Sequence, residues 1–116
     1  MLDDTYAGSR ESVPDAFRVN TRVGPNEIVL VLEGQADAAA GPLLAHALTQ
    51  AASQRHLRIS LDLADVEFID THCLEIIFSV RDKLRDQGAD LVLHSPRPSV
   101  RRLLEILERQ DLIENA

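Results

Sequence analysis

Between Ile59 and Leu74 the chain changes from one periodicity to another, and that change restricts the folds open to it. Ile59, Leu61 and Leu63 alternate with Ser60 and Asp62, the two-residue period of a strand with one buried face. An acidic turn follows, holding Asp65, Glu67 and Asp70. It runs into an amphipathic helix expected from about Cys73 to Gln87, with Ile77, Val80 and Leu84 on its buried stripe and Leu74 and Ile76 beside them. Gly88 is its expected stop. A strand that leads straight into a helix is the building unit of a parallel α/β sheet. The turn also sets a hydroxyl, Thr71, at the helix start. A hydroxyl there can cap the helix or accept a phosphate.

The flanking segments repeat the pattern. Phe17, Val19, Thr21 and Val23 lie on one strand face, and Gly24-Pro25-Asn26 is a turn signal. Ile28 to Leu32 then forms an apolar strand, so the two pair as an antiparallel hairpin. Asp37 is the expected cap of a helix with Pro42 in its first turn and Leu44, Ala47, Leu48 and Ala51 on one stripe. Leu91-Val92-Leu93 is a short buried strand. Ser95-Pro96 opens a last helix striped by Val100, Leu103, Leu104 and Leu107, after which Leu112 and Ile113 fold back onto the core. The order β-β-α-β-α-β-α, with right-handed crossovers, predicts an α/β fold: a four-stranded mixed sheet packed with helices. Residues 1–14 are polar and aperiodic and are expected to be a mobile tail, leaving 15–116 as one folded domain.

Composition narrows the function. A chain of 116 residues with 45% apolar side chains can bury a core without staples. One cysteine excludes an internal disulfide and a paired-cysteine metal or redox motif, and the four histidines show no ligand spacing, so no metal or cofactor is expected. A net charge of −7 disfavours nucleic acid and anionic membranes as partners. No apolar run reaches the roughly 20 residues of a membrane span, and Met1-Leu2-Asp3-Asp4 does not open a signal peptide, so a cytoplasmic protein is expected. No phosphate-cradling GxxxxGK[ST] loop occurs, which argues against a nucleotide-hydrolysing enzyme. His72 and Cys73 are adjacent, and neighbours on a helix point about 100° apart, so they do not make a catalytic pair.

Several segments in order resemble a known family. Leu32-Glu33-Gly34-Gln35-Ala36-Asp37 is similar to the L-x-G-x-x-D start of the STAS domain, the fold of bacterial anti-sigma factor antagonists. The run from Leu61 to Thr71 is similar to that family's L-D-L-x-x-V-x-F-[IM]-D-S segment. Pro98 to Glu105 resembles its C-terminal helix, and Asp111-Leu112-Ile113 its closing apolar turn. The resemblance spans about Phe17 to Ile113.

It implies a regulatory binding module rather than an enzyme. In such partner switches an anti-sigma factor, itself a serine/threonine kinase, phosphorylates the first hydroxyl of a D-S-[ST]-G-L loop, and the phosphorylated form no longer binds it. By position the acceptor is Thr71, and the partner-binding residues are Asp37, Asp70, Thr71, His72, Cys73, Leu74 and Glu75, joined by the exposed side of the second helix with Ser79. The loop departs from the pattern: Thr71 replaces serine, His72 the second hydroxyl and Cys73 the glycine, so Cys73 is expected to add a side chain on the side a partner approaches. Two other partnerships fit the resemblance: a STAS subunit supporting an ABC transporter ATPase, and a non-phosphorylated scaffold. The oligomeric state is left open by the sequence.

Overall fold

The computed structural model describes residues 10–13, 17–54 and 58–114. They form β1 (Arg10–Val13), β2 (Phe17–Val23), β3 (Glu27–Ala36), α1 (Gly41–Ala52), β4 (Arg58–Ile69), α2 (Thr71–Asp86), β5 (Asp90–His94) and α3 (Pro98–Ile106). Short 3-10 turns at Ala38–Ala40 and Gln110–Leu112 lead into α1 and follow α3. The sheet order is β1-β2-β3-β4-β5, antiparallel through β3 and parallel from β3 to β5. The four strands and three helices read from the sequence are therefore present, as an α/β mixed sheet.

A fifth strand joins them. β1 lies in the stretch expected to be a tail and pairs with β2 from Arg10↔Asn20 to Val13↔Phe17. Arg-Glu-Ser-Val carries no apolar alternation, because an edge strand is held by its backbone ladder and needs none. Residues 1–9 and 14 of the expected tail lie outside the described residues.

The parallel half of the sheet runs in one spatial direction, β3 to β4 to β5, and crossovers between parallel strands are right-handed as a rule. Successive crossovers of one hand in one direction place α1 and α2 on the same face. Leu93 forms a further parallel bridge with Ile113, so α3 crosses over on that face too. The strands are sorted to match. Ile28, Ile59 and Leu91 lie side by side in register, as do Leu30, Leu61 and Leu93, and all six are buried. Leu44, Leu48, Leu74, Ile77, Leu84, Val100 and Leu104 cover them from the helices.

The opposite face has no helix among the described residues. There Val29, Val31 and Val92 are half-buried among Arg18, Glu27, Glu33, Arg58, Asp62 and His94. Ionic contacts knit this face. Arg18 bonds Glu33 at 2.9 Å, Arg58 pairs with Glu27 and Glu114, and the Ser60 hydroxyl donates to Glu27. Ser60 is buried because it is a short side chain between larger neighbours in β4, a strand paired on both sides.

β4 changes its pattern half-way. Its register with β3 slips between Val31 and Glu33 and again between Gly34 and Gln35. Each slip adds one residue to β4, a bulge. The buried positions accordingly pass from Ile59, Leu61, Leu63 to Leu63, Val66, Ile69. Simple alternation would have turned Asp65 and Glu67 inward. The bulges bring Val66 inside and leave both acids exposed. Gly34, beside the second slip, has φ 101°, where a side chain collides with its own backbone. Gly34→Ala is expected to cost about 1–2 kcal/mol, read as a fall of roughly 5–10 °C in the thermal midpoint. An unchanged midpoint by circular dichroism would contradict this.

Candidate functional site

Ala36 and Ile69 are the last paired residues of the neighbouring parallel strands β3 and β4. The next residues, Asp37 and Asp70, therefore leave the sheet side by side at its carboxyl end, where ligands of open α/β sheets gather. The Asp70 N–H donates to the Ala36 carbonyl at 3.0 Å, which extends the ladder into the loops. The two acidic loops, separate in sequence, are thus one structural unit.

Each aspartate opens a helical segment. Asp37, with extended backbone, accepts from the Ala39 N–H at 3.0 Å and starts the 3-10 turn that enters α1. Asp70, likewise extended, accepts from the Cys73 N–H at 2.8 Å, and its carbonyl accepts from the Leu74 N–H at 3.1 Å. Asp70 is therefore the cap of α2. Thr71 is not the cap: it is the first helical residue, it is exposed, and its hydroxyl has no hydrogen-bond partner among the described residues.

The loop has an inner and an outer side. Thr71, His72 and Glu75 are exposed, with Asp37 and Asp70 half-buried beneath them. Cys73 and Leu74, both expected among the partner-binding residues, point inward and are fully buried; for Leu74 this agrees with its expected place beside the buried stripe of the helix. Residues three or four apart share a helix face, so Cys73 and Leu74 fall on the stripe of Ile77 and Leu84. The Cys73 thiol donates to the Asp37 carbonyl at 3.3 Å, tying the start of α2 to the end of β3. Cys73 thus adds no side chain to the outer surface. His72 packs over α1: a Cβ built on Gly41 would lie 3.5 Å from its Cδ2. With Cys73 inward and His72 outward, the two share no site.

Burial pushes the Cys73 thiol from 9.0 up to about 12, helped by the adjacent Asp70 carboxylate and by the charge of Asp37. Two exposed acids, Asp65 and Glu67, and the exposed Phe68 stand on the same end of β4. The sequence placed Asp65 and Glu67 in an acidic turn after the strand, whereas β4 continues through them to Ile69; none of the three was given a partner-binding role, because their outward orientation depends on the bulges. Among the described residues no group of His, Cys, Asp and Glu could hold a metal ion, and no helix is long and apolar enough to cross a membrane.

The STAS domain profile matches residues 18–115. The chain belongs to the STAS domain family. No curated protein matches it in sequence. Among solved structures, it is similar to the anti-sigma factor antagonist SpoIIAA in its unphosphorylated form, at TM-score 0.75 and 20% identity over 87% of this chain and 88% of that one. An anti-sigma factor antagonist from Mycobacterium paratuberculosis gives TM-score 0.77 and 20% identity, over 89% and 87%. The phosphorylated form of the Bacillus cell fate determinant SpoIIAA gives 0.69 and 19%, over 87% and 91%. At these identities the likeness is one of fold.

Two expectations follow for this STAS loop. Asp70→Ala removes the cap and should cost about 0.5–2 kcal/mol, whereas Thr71→Ala should stay within about 0.5 kcal/mol of wild type, both read by denaturant unfolding. The reverse order would make Thr71 the cap. The raised thiol pKa also sets a pH dependence. Below pH 9 the thiol is protonated in both states and its contribution to folding is complete. As pH rises from 9.0 towards 12 the unfolded chain loses the proton first, so stability falls. Between pH 9 and about 10.5 wild type should therefore lose more stability than Cys73→Ala; parallel curves would contradict the assignment.

Proposed function

We propose that this STAS domain is an anti-sigma factor antagonist-like regulatory module, a binding protein rather than an enzyme. Its partner is an anti-sigma factor that is also a serine/threonine kinase, and phosphorylation of Thr71 switches the complex off. One observation carries the proposal: Asp70 does the capping, so the Thr71 hydroxyl is exposed and uncommitted at the start of α2. Fold neighbours that are anti-sigma factor antagonists, solved with and without phosphate, point the same way.

The chemistry is consistent at each step. The kinase transfers the terminal phosphoryl group of a nucleoside triphosphate to the Thr71 oxygen; the hydroxyl proton is lost and the nucleoside diphosphate leaves. The product adds about −1.5 to −2 charges at a helix N-terminus, where free N–H groups and the helix dipole tolerate an anion. The fold is therefore little disturbed. Binding is disturbed, because the kinase must hold its own nucleotide phosphates against this residue. A phosphate already on Thr71 meets them with like charge and occupies their space.

Asp37, Asp70, His72 and Glu75 frame the acceptor on the outer side, while Cys73 and Leu74 support it from within. Thr71→Glu should weaken binding to the kinase at least about tenfold, a loss of about 1.4 kcal/mol, with the thermal midpoint nearly unchanged. Equal affinities by isothermal calorimetry would overturn the switch.

A further inference from the structure

We infer that Phe68 is the apolar anchor of the partner interface, and that the partner grips the rim of the uncovered sheet face with a basic-edged apolar pocket. This rests on the functional reading above and adds to it the surface and the chemistry that bind. Among the described residues three large apolar side chains are exposed: Val23, Phe68 and Ile106. Val23 ends β2 beside the turn to β3, and Ile106 ends α3. Phe68 alone stands at the loop unit, two residues before Asp70 and three before Thr71. Three residues of chain span at most about 11 Å, so one partner covers both.

The fold keeps Phe68 open. Across β3 its register partner is Gln35, itself exposed. On the other side β5 has already ended, its last pair being Asp62↔His94. Ile69 points to the helices, so Phe68 belongs to the face on which no helix packs among the described residues. Phe68 is 48% exposed, so much of it is open to be covered by a partner.

Charge identifies what covers it. The bulges turn Asp65 and Glu67 outward on either side of Val66, and Asp37 and Asp70 follow at the strand ends. Arg97 opposes them, its Nε fixed on the Ala64 carbonyl at 2.9 Å, while Arg18, across Glu33 from Asp65, is taken up by its ion pair with Glu33. The balance is acidic. An aromatic side chain within a carboxylate rim suits a pocket that is apolar inside and lined by Arg or Lys outside. Such a rim speeds encounter and makes it salt-dependent. The division of labour is then spatial. Phe68 and its acids hold the kinase, and Thr71 at the helix side of the rim faces its nucleotide.

The test measures binding of the full chain to a purified anti-sigma factor kinase from the same cells, by calorimetry at low and high salt. Four proteins are compared: wild type, Phe68→Ala, the double variant Asp65→Asn/Glu67→Gln, and Thr71→Glu. Phe68→Ala should lose at least about tenfold in affinity at both salt concentrations, as a central interface anchor does. Its thermal midpoint should fall by a few degrees at most, since only part of the side chain is buried. The double variant should bind more weakly at low salt and lose most of the salt dependence. Wild-type affinity in Phe68→Ala, with Thr71→Glu impaired, overturns the anchor and leaves the switch standing. Failure of wild type to bind the kinase overturns both. A concentration-dependent dimer that Phe68→Ala abolishes would assign the ring to a second copy of this chain and also overturn the proposal.

Discussion

β3 and β4 run parallel and end at the same level, and the hydrogen bond from the Asp70 N–H to the Ala36 carbonyl closes that level. The loops of this molecule take their places from it. It sets Asp37 beside Asp70, and each acid then starts its own helical segment from the same edge of the sheet. The Cys73 thiol on the Asp37 carbonyl is a second tie across the gap. Two helix starts held by two short bonds form a rigid platform, and Thr71 is the residue that platform presents.

The platform stands where two unlike surfaces meet. Because the parallel strands advance in one direction, their helices collect on one face and bury the apolar rows. The other face is left with its ionic lattice of Arg18, Glu33, Arg58, Glu27 and Glu114. A partner at the carboxyl end can therefore touch helix on one side and bare strand on the other. Outward acids on β4 and an exposed ring at its end favour the strand side as the grip.

Much of this was legible from residues. The period-two rows of β2, β3 and β4 and the helical stripes of α1, α2 and α3 announce the elements, since burial on one face writes its period into the chain. The loop residues Asp37, Asp70 and Thr71 were legible too, as polar residues at strand-to-helix junctions. What escaped depends on relations between segments. β1 escaped because an edge strand needs no apolar pattern. The choice of cap escaped because Asp70 and Thr71 are both good caps by type, and only backbone geometry separates them. Cys73 and Leu74 turn inward because they lie four and three residues before Ile77 on α2, a spacing that the likeness to the family loop had set aside. Asp65, Glu67 and Phe68 escaped as a surface because two bulges, visible only against β3, decide which way they face.

The central claim is that the hydroxyl left free by the Asp70 cap is the regulated atom. The most direct measurement is mass-spectrometric mapping of phosphate after the purified protein is incubated with an anti-sigma factor kinase and a nucleoside triphosphate. The predicted result is one phosphate, on Thr71, abolished in Thr71→Ala while the fold is retained. Phosphate on another residue, or none on a Thr71 chain that binds the kinase stably, would contradict it.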